Sequence, residues 1–167
     1  MKIFKSEKID THGGSIRVYI KKYKKVKIDN SVKKMLKEEE KFGIKKFETY
    51  QKFGEKVYRI KENVLKNIKK LKSKNKIIIG FGAPAKATTA LNFFGIRNEI
   101  DFIVEDNKLK HNKFVPGVKI PIKSKLNIKS KDNILLVLAW NFYNFIKKNN
   151  SEISNNFVNI KDLESIT

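Results

Sequence analysis

The sequence has no cysteine among its 167 residues and only two histidines, His12 and His111. Disulfides and thiolate metal sites are therefore excluded, and a histidine-based metal cluster is disfavoured. No apolar run approaches the roughly 20 residues that span a bilayer, and residues 1–5 do not begin a signal peptide. We therefore expect a cytoplasmic protein without a membrane partner. With 40% hydrophobic residues, the chain can still bury one sizeable core.

Arginine is scarce as well, although the formal net charge is +21. Such basic chains often bind nucleic acid or anionic membranes. Phosphate-binding surfaces, however, usually favour the forked donors of arginine, and here nearly all of the positive charge is lysine. We interpret lysine as the default surface residue and expect no specific nucleic-acid partner. A nucleic-acid binder that relies on charge remains the alternative.

The chain divides into three predicted segments. Residues 1–22 read as a hairpin of strands at Lys2–Ile9 and Ile16–Ile20. Residues 23–75 read as a helical connector. In residues 76–167, β-branched runs alternate with helical patterns, which predicts a parallel sheet. The predicted fold is α/β: a Rossmann-like parallel sheet with flanking helices, preceded by a β-hairpin and two helices.

Capping signals and periodicity give the two helices of the connector. The first covers residues 31–42, with Ser31 as its N-cap and Gly43 at its end. The second runs from Phe47 to about Leu71, because apolar residues recur there at three- and four-residue steps. Gly54 marks a place where this second helix bends or breaks.

A glycine turn is the most informative motif. The isoleucine run at 77–79 predicts a strand, and it is followed by Gly80, Gly82 and Ala85. These three residues fit the dinucleotide-binding fingerprint, which lies between a strand and a helix. Lys86 falls in the first helical turn, where its ammonium group is placed to pair with a phosphate. A tight turn without a ligand, followed by one more surface lysine, is the other interpretation.

Further candidates follow the next two predicted strands. Glu105 ends one of them and could accept from a ribose hydroxyl, and Lys110 lies in the loop that follows. Trp140 and Asn141 end the next strand at the same predicted edge. Trp140 is suited to stack on a base or a sugar, and core packing is its alternative role. Asn141 is suited to cap a helix or to bind a ligand.

The turn of the hairpin, from Thr11 to Arg17, contains a second group of candidate binding residues. His12 precedes two glycines, an arrangement that lets backbone and imidazole approach a ligand together. Arg17 is unusual in a chain that otherwise uses lysine, which hints at a need for guanidinium geometry. A plain hairpin turn is the alternative. The sequence contains neither a nucleophile–base pair nor a carboxylate dyad that would indicate catalysis.

Together these segments resemble the C-terminal domain of the sugar C-methyltransferases. The matching segments keep the order and approximate spacing of that family: His12–Arg17, Gly80–Lys86, Leu91–Ile96, Asn107–Lys110, Pro116–Ile122 and Leu138–Asn141. The chain departs from the family at Glu105, where aspartate is usual.

The resemblance implies that this chain acts together with a methyltransferase part that it does not contain. Complete members look like three-part enzymes in which a zinc-binding region and an S-adenosylmethionine-dependent methyltransferase domain precede this domain. The hairpin at 1–22 would then be the end of the methyltransferase domain. We expect this chain to hold a nucleotide-diphosphate sugar, to bind no cofactor itself and to be inactive without the missing methyltransferase part. That part is either lost by truncation or supplied by a separate methyltransferase subunit. The implied binding residues are His12, Arg17, Gly80, Gly82, Lys86, Glu105, Lys110, Trp140 and Asn141. The alternative is a stand-alone NAD-type dinucleotide-binding module.

Overall fold

The computed structural model describes residues 1–22, 25–73 and 76–165. The parts of the predicted connector at 23, 24, 74 and 75, and of the predicted third segment at 166 and 167, lie outside the described residues. The chain forms two compact units, residues 1–56 and residues 57–167.

The first unit is a hairpin covered by a helix. Strand β1 (Lys2–Ile9) pairs antiparallel with β2 (Ser15–Lys21), as predicted. Helix α1 (Asn30–Phe42) lies on this hairpin, where the backbone nitrogen of Ser6 donates to Ser31 Oγ at 3.2 Å and Lys8 pairs with Glu38 at 2.7 Å.

The ends of α1 follow ordinary capping chemistry. The predicted N-cap Ser31 is wrong, because Asp29 takes that role and accepts a hydrogen bond from the backbone nitrogen of Ser31 at 2.8 Å. Gly43 ends the helix in the left-handed conformation, as predicted. Helix α2 (Phe47–Lys72) is continuous through Gly54, so the suggested break does not occur.

The second unit is built on a five-stranded parallel sheet, which confirms the predicted fold class. Its strands, in chain order, are β3 (Ile77–Phe81), β4 (Phe102–Val104), β5 (Ile122–Lys123), β6 (Asn133–Val137) and β7 (Asn156–Asn159). Their spatial order is β5-β4-β3-β6-β7. The chain therefore builds outward on one side of β3 and then crosses to the other side. The carboxyl ends of β3 and β6 flank this switch point, where open α/β sheets bind ligands.

Both faces of this sheet are covered. The side chain of Ile78 points to the face that carries α2 and α3 (Ala85–Phe94), whereas Ile79 and Phe81 point to the face that carries α4 (Tyr143–Lys148). Strand β6 is buried at every position, as its apolar run predicted. The loops at the carboxyl edge of the sheet thus start from strands that are packed on both faces.

Candidate functional site

The glycine turn connects β3 to α3 at the switch point. Gly80 is buried in β3, and a Cβ atom there would lie 2.7 Å from Cγ1 of Ile103. Gly82 has φ +84°, and its backbone nitrogen donates to the carbonyl oxygen of Val104 at 2.8 Å. Both glycines are thus required by the close approach of neighbouring strands and by the left-handed turn. Pro84 precedes the helix in an extended conformation, at the N-cap position of α3.

Glu105 fixes this turn from the neighbouring strand end. Its carboxylate accepts from the backbone nitrogens of Ala83 at 2.9 Å and Asn107 at 3.1 Å, and it pairs with Lys110 Nζ at 3.3 Å. Lys110 Nζ also donates to the carbonyl oxygen of Ala83 at 3.0 Å. Glu105 and Lys110 therefore clamp the first residue after the glycines from both of its polar backbone groups.

The clamp also explains the titration of Glu105. Desolvation raises the pKa of its carboxyl group, but hydrogen bonds from the Ala83 and Asn107 backbones and from Lys110 outweigh burial, so the pKa is lowered overall. The following loop is tied down as well, because His111 Nε2 donates to the carbonyl oxygen of Glu105 at 2.7 Å. Sequence reasoning missed this role of His111.

A crevice opens beside the clamp at the carboxyl edge of the sheet. We call it the glycine crevice; its volume is about 320 Å³, and its lining includes Gly82, Pro84, Glu105, Lys110, Ala139 and Phe142. Phe142 and Phe145 expose their rings beside it, and no sequence signal distinguished these two from other aromatic residues. The crevice combines a charged clamp with apolar walls, which is a common composition for a small-molecule site.

Lys86 and Trp140 meet on the other side of the turn. Lys86 Nζ lies 4.2 Å from the centroid of the Trp140 ring, within the range of a cation–π contact. Loss of hydration lowers the pKa of the Lys86 ammonium group, and repulsion from Lys161 lowers it further. Lys161 lies in the 3₁₀ turn Ile160–Glu164 after β7, outside the segments singled out by the sequence analysis.

The structure therefore groups most of the predicted site residues at one edge of the second unit. Gly82, Glu105 and Lys110 share the glycine crevice, and Lys86 contacts Trp140. Gly80 lies one residue deeper, within β3, and Asn141 is exposed in the 3₁₀ turn at Trp140–Phe142.

His12 and Arg17 belong to the first unit. His12 is exposed and adopts φ +57° inside the short 3₁₀ turn of the hairpin. The Arg17 guanidinium donates to Glu7 at 3.1 Å across the hairpin, and the Tyr19 hydroxyl donates to the same carboxylate oxygen at 2.6 Å. The guanidinium of Arg17 therefore already has a partner in its own unit, and its role in ligand binding stays a prediction.

The comparisons with known proteins agree with this architecture. The family model described as "C-methyltransferase C-terminal domain" matches residues 10–160. The chain belongs to this family. It is also 31% identical over 150 residues to the C-methyltransferase NovU of Streptomyces niveus, an alignment that covers 88% of this chain and 36% of that relative. The chain thus spans little more than a third of the length of the relative that it matches.

Two further observations concern the described residues alone. Within 1–22, 25–73 and 76–165, no three histidine or acidic side chains come together as metal ligands. No helix in those ranges is long and apolar enough to cross a bilayer.

Proposed function

We propose that this chain is the nucleotide-sugar-binding part of a sugar C-methyltransferase and that it transfers no methyl group by itself. Membership of the C-methyltransferase C-terminal family supports the enzyme class. The observation that carries the ligand class is the pairing of Lys86 with Trp140 at the carboxyl edge of the sheet. An ammonium group suits a diphosphate, and an indole suits a base or a sugar ring.

The position of Glu105 favours this ligand over NAD. In a dinucleotide-binding domain, the acidic residue at this strand end accepts from the ribose hydroxyls. Here both oxygens of the Glu105 carboxylate already accept from backbone nitrogens of the turn and the loop. A ribose hydroxyl would therefore find only part of the acceptor capacity of this carboxylate free.

Calorimetry tests the ligand class. The purified chain is titrated with a panel of uridine and thymidine diphosphate sugars and with NAD. We expect at least one nucleotide-sugar to bind more tightly than NAD, and tighter binding of NAD than of every nucleotide-sugar would overturn the proposal. Lys86→Ala should weaken binding. Lys129→Ala is the matched control, because Lys129 is exposed in the loop before β6, at the opposite edge of the sheet.

We also propose that a methyltransferase part packs on the first unit. Among the described residues, every buried apolar side chain belongs to the second unit. In the first unit, Ile16, Val18 and Ile20 are about half exposed along β2, and Phe42 and Phe47 are largely exposed. The relative NovU contains nearly two thirds of its length outside the matched region, enough for a further domain.

Two measurements test whether another part of the enzyme catalyses methyl transfer and packs on the first unit. The chain alone is incubated with labelled S-adenosylmethionine and a keto-sugar nucleotide, and turnover would refute the assignment of catalysis to another part. Hydrogen exchange is then followed over β2 in the monomer. The amides on the outer edge of β2 should exchange rapidly, because only the β1 side is paired among the described strands. Strong protection there would remove the reason for a docked partner. A cytoplasmic location stays a prediction.

A further inference from the structure

A second cavity borders Trp140 and shares no lining residue with the glycine crevice, and Trp140 is the one predicted binding residue in its lining. We call it the tryptophan pocket; its volume is about 330 Å³, and its apolar lining is Ile60, Val64, Ala90, Phe94, Trp140 and Ile160. Two charged residues, Lys161 and Glu164, complete the lining. A space of this volume and composition admits a flat ring with part of a sugar attached.

The charges beside this pocket favour an anion. Within 1–22, 25–73 and 76–165, no acidic side chain forms an ion pair with Lys86 or Lys161. The two ammonium groups instead repel each other, which is one cause of the lowered pKa of Lys86. A bound anion near both lysines would relieve this repulsion, because opposite charges favour the protonated form.

Lys86 also occupies a face of the ring that a ligand would use. Its Nζ atom lies 4.2 Å from the ring centroid of Trp140. A surface cation–π contact is weaker than a charge-assisted hydrogen bond to a phosphate. The lysine can therefore leave the indole when a phosphate comes within reach.

We propose that the tryptophan pocket takes the base end of a diphosphate ligand, with Lys86 moving from the indole of Trp140 to the phosphates and Lys161 acting as a second phosphate-binding cation. This inference rests on the proposed function and adds to it the position of the base, the second cation and the movement of Lys86. Glu164, the acidic residue of the lining, would accept a hydrogen bond from a ring N–H of the base.

Inorganic pyrophosphate and tryptophan emission test the movement of Lys86 directly. Trp140 is the single tryptophan of the chain, so its fluorescence reports this site alone. Pyrophosphate should change the emission in a saturable way as the ammonium leaves the ring. Lys86→Met should abolish the change, and Lys161→Met should weaken pyrophosphate binding by about tenfold. Lys129→Met, at the opposite edge of the sheet, should behave like the wild type.

The outcomes separate this inference from the proposed function. One outcome overturns the inference: a nucleotide-sugar binds in calorimetry, Trp140 emission stays constant, and Lys86→Met and Lys161→Met bind the ligand as tightly as the wild type. The proposed function would still stand in that case. A pyrophosphate response that depends on both lysines supports the cation pair even if every nucleotide-sugar fails to bind, and in that case the proposed function falls. Circular dichroism of each variant confirms that lost binding does not reflect lost folding.

Discussion

Glu105 is the residue whose replacement best tests the clamp on the glycine turn. Its side chain is only 14% exposed, and its carboxylate accepts from the Ala83 and Asn107 backbones while it pairs with Lys110. Glutamine keeps the shape but retains one accepting oxygen. One backbone N–H then faces an NH₂ group, and the ion pair is lost. We expect Glu105→Gln to lower the free energy of unfolding by about 2–4 kcal/mol, because one charge-assisted hydrogen bond is lost and the remaining contacts are weakened.

Asp106→Asn is the matched control. Asp106 is the next residue, and it pairs with Lys125 at 2.9 Å, but its side chain is 69% exposed. An exposed pair of this kind contributes about 0–1 kcal/mol. Urea unfolding followed by Trp140 emission measures both variants, because Trp140 lies in the same unit as the clamp. A loss in Glu105→Gln no larger than in Asp106→Asn would refute the clamp.

The pH dependence provides a second check on the same residue. The folded pKa of Glu105 is lowered, so its contribution is present in full above the unfolded pKa of about 4.3 and is lost as pH falls through the folded value. Glutamine does not titrate. The difference in unfolding free energy between wild type and Glu105→Gln should therefore be constant from about pH 6 to 8 and shrink below about pH 4. A difference that grows on acidification would contradict the assigned direction of the shift.

Three other results are expected. Gly80→Ala should lower the free energy of unfolding in urea by about 1–3 kcal/mol, because the new Cβ would meet Ile103 at 2.7 Å. Gly54→Ala, in open space on α2, should leave that free energy unchanged or raise it by up to about 1 kcal/mol. Equal effects of the two substitutions would contradict the packing role of Gly80. Leu135→Ala, at a fully buried position of β6, should cost about 2–5 kcal/mol, and a smaller loss would mean that the core relaxes around the cavity. Affinity for DNA should fall by orders of magnitude between about 50 and 200 mM salt without sequence preference, and selective binding at physiological salt would show that the lysines form a specific surface.

Much of the fold was predictable because it depends on local chemistry. Alternating strands and helices predict a parallel sheet, and Gly43 and Gly95 end helices in the left-handed conformation that glycine adopts readily. The N-cap of α1 was misassigned because Asp29 and Ser31 are both good capping residues. Only the backbone geometry decides that the carboxylate of Asp29 accepts from the Ser31 nitrogen. The continuity of α2 through Gly54 was also not predictable from the sequence. It depends on whether packing of the helix outweighs the low helix propensity of glycine, and composition does not show this.

The sequence by itself determined the family, the parallel sheet and the glycine turn, since these follow from periodicity, from glycine placement and from motifs in a fixed order. Tertiary structure alone decided what the polar residues do. It placed the carboxylate of Glu105 on the turn and stacked Lys86 on Trp140. It also brought Lys161, which lies 75 residues further along the chain in the 3₁₀ turn after β7, near Lys86. Contacts between residues so distant in sequence depend on strand order and helix packing, which no local pattern among 38 basic residues encodes.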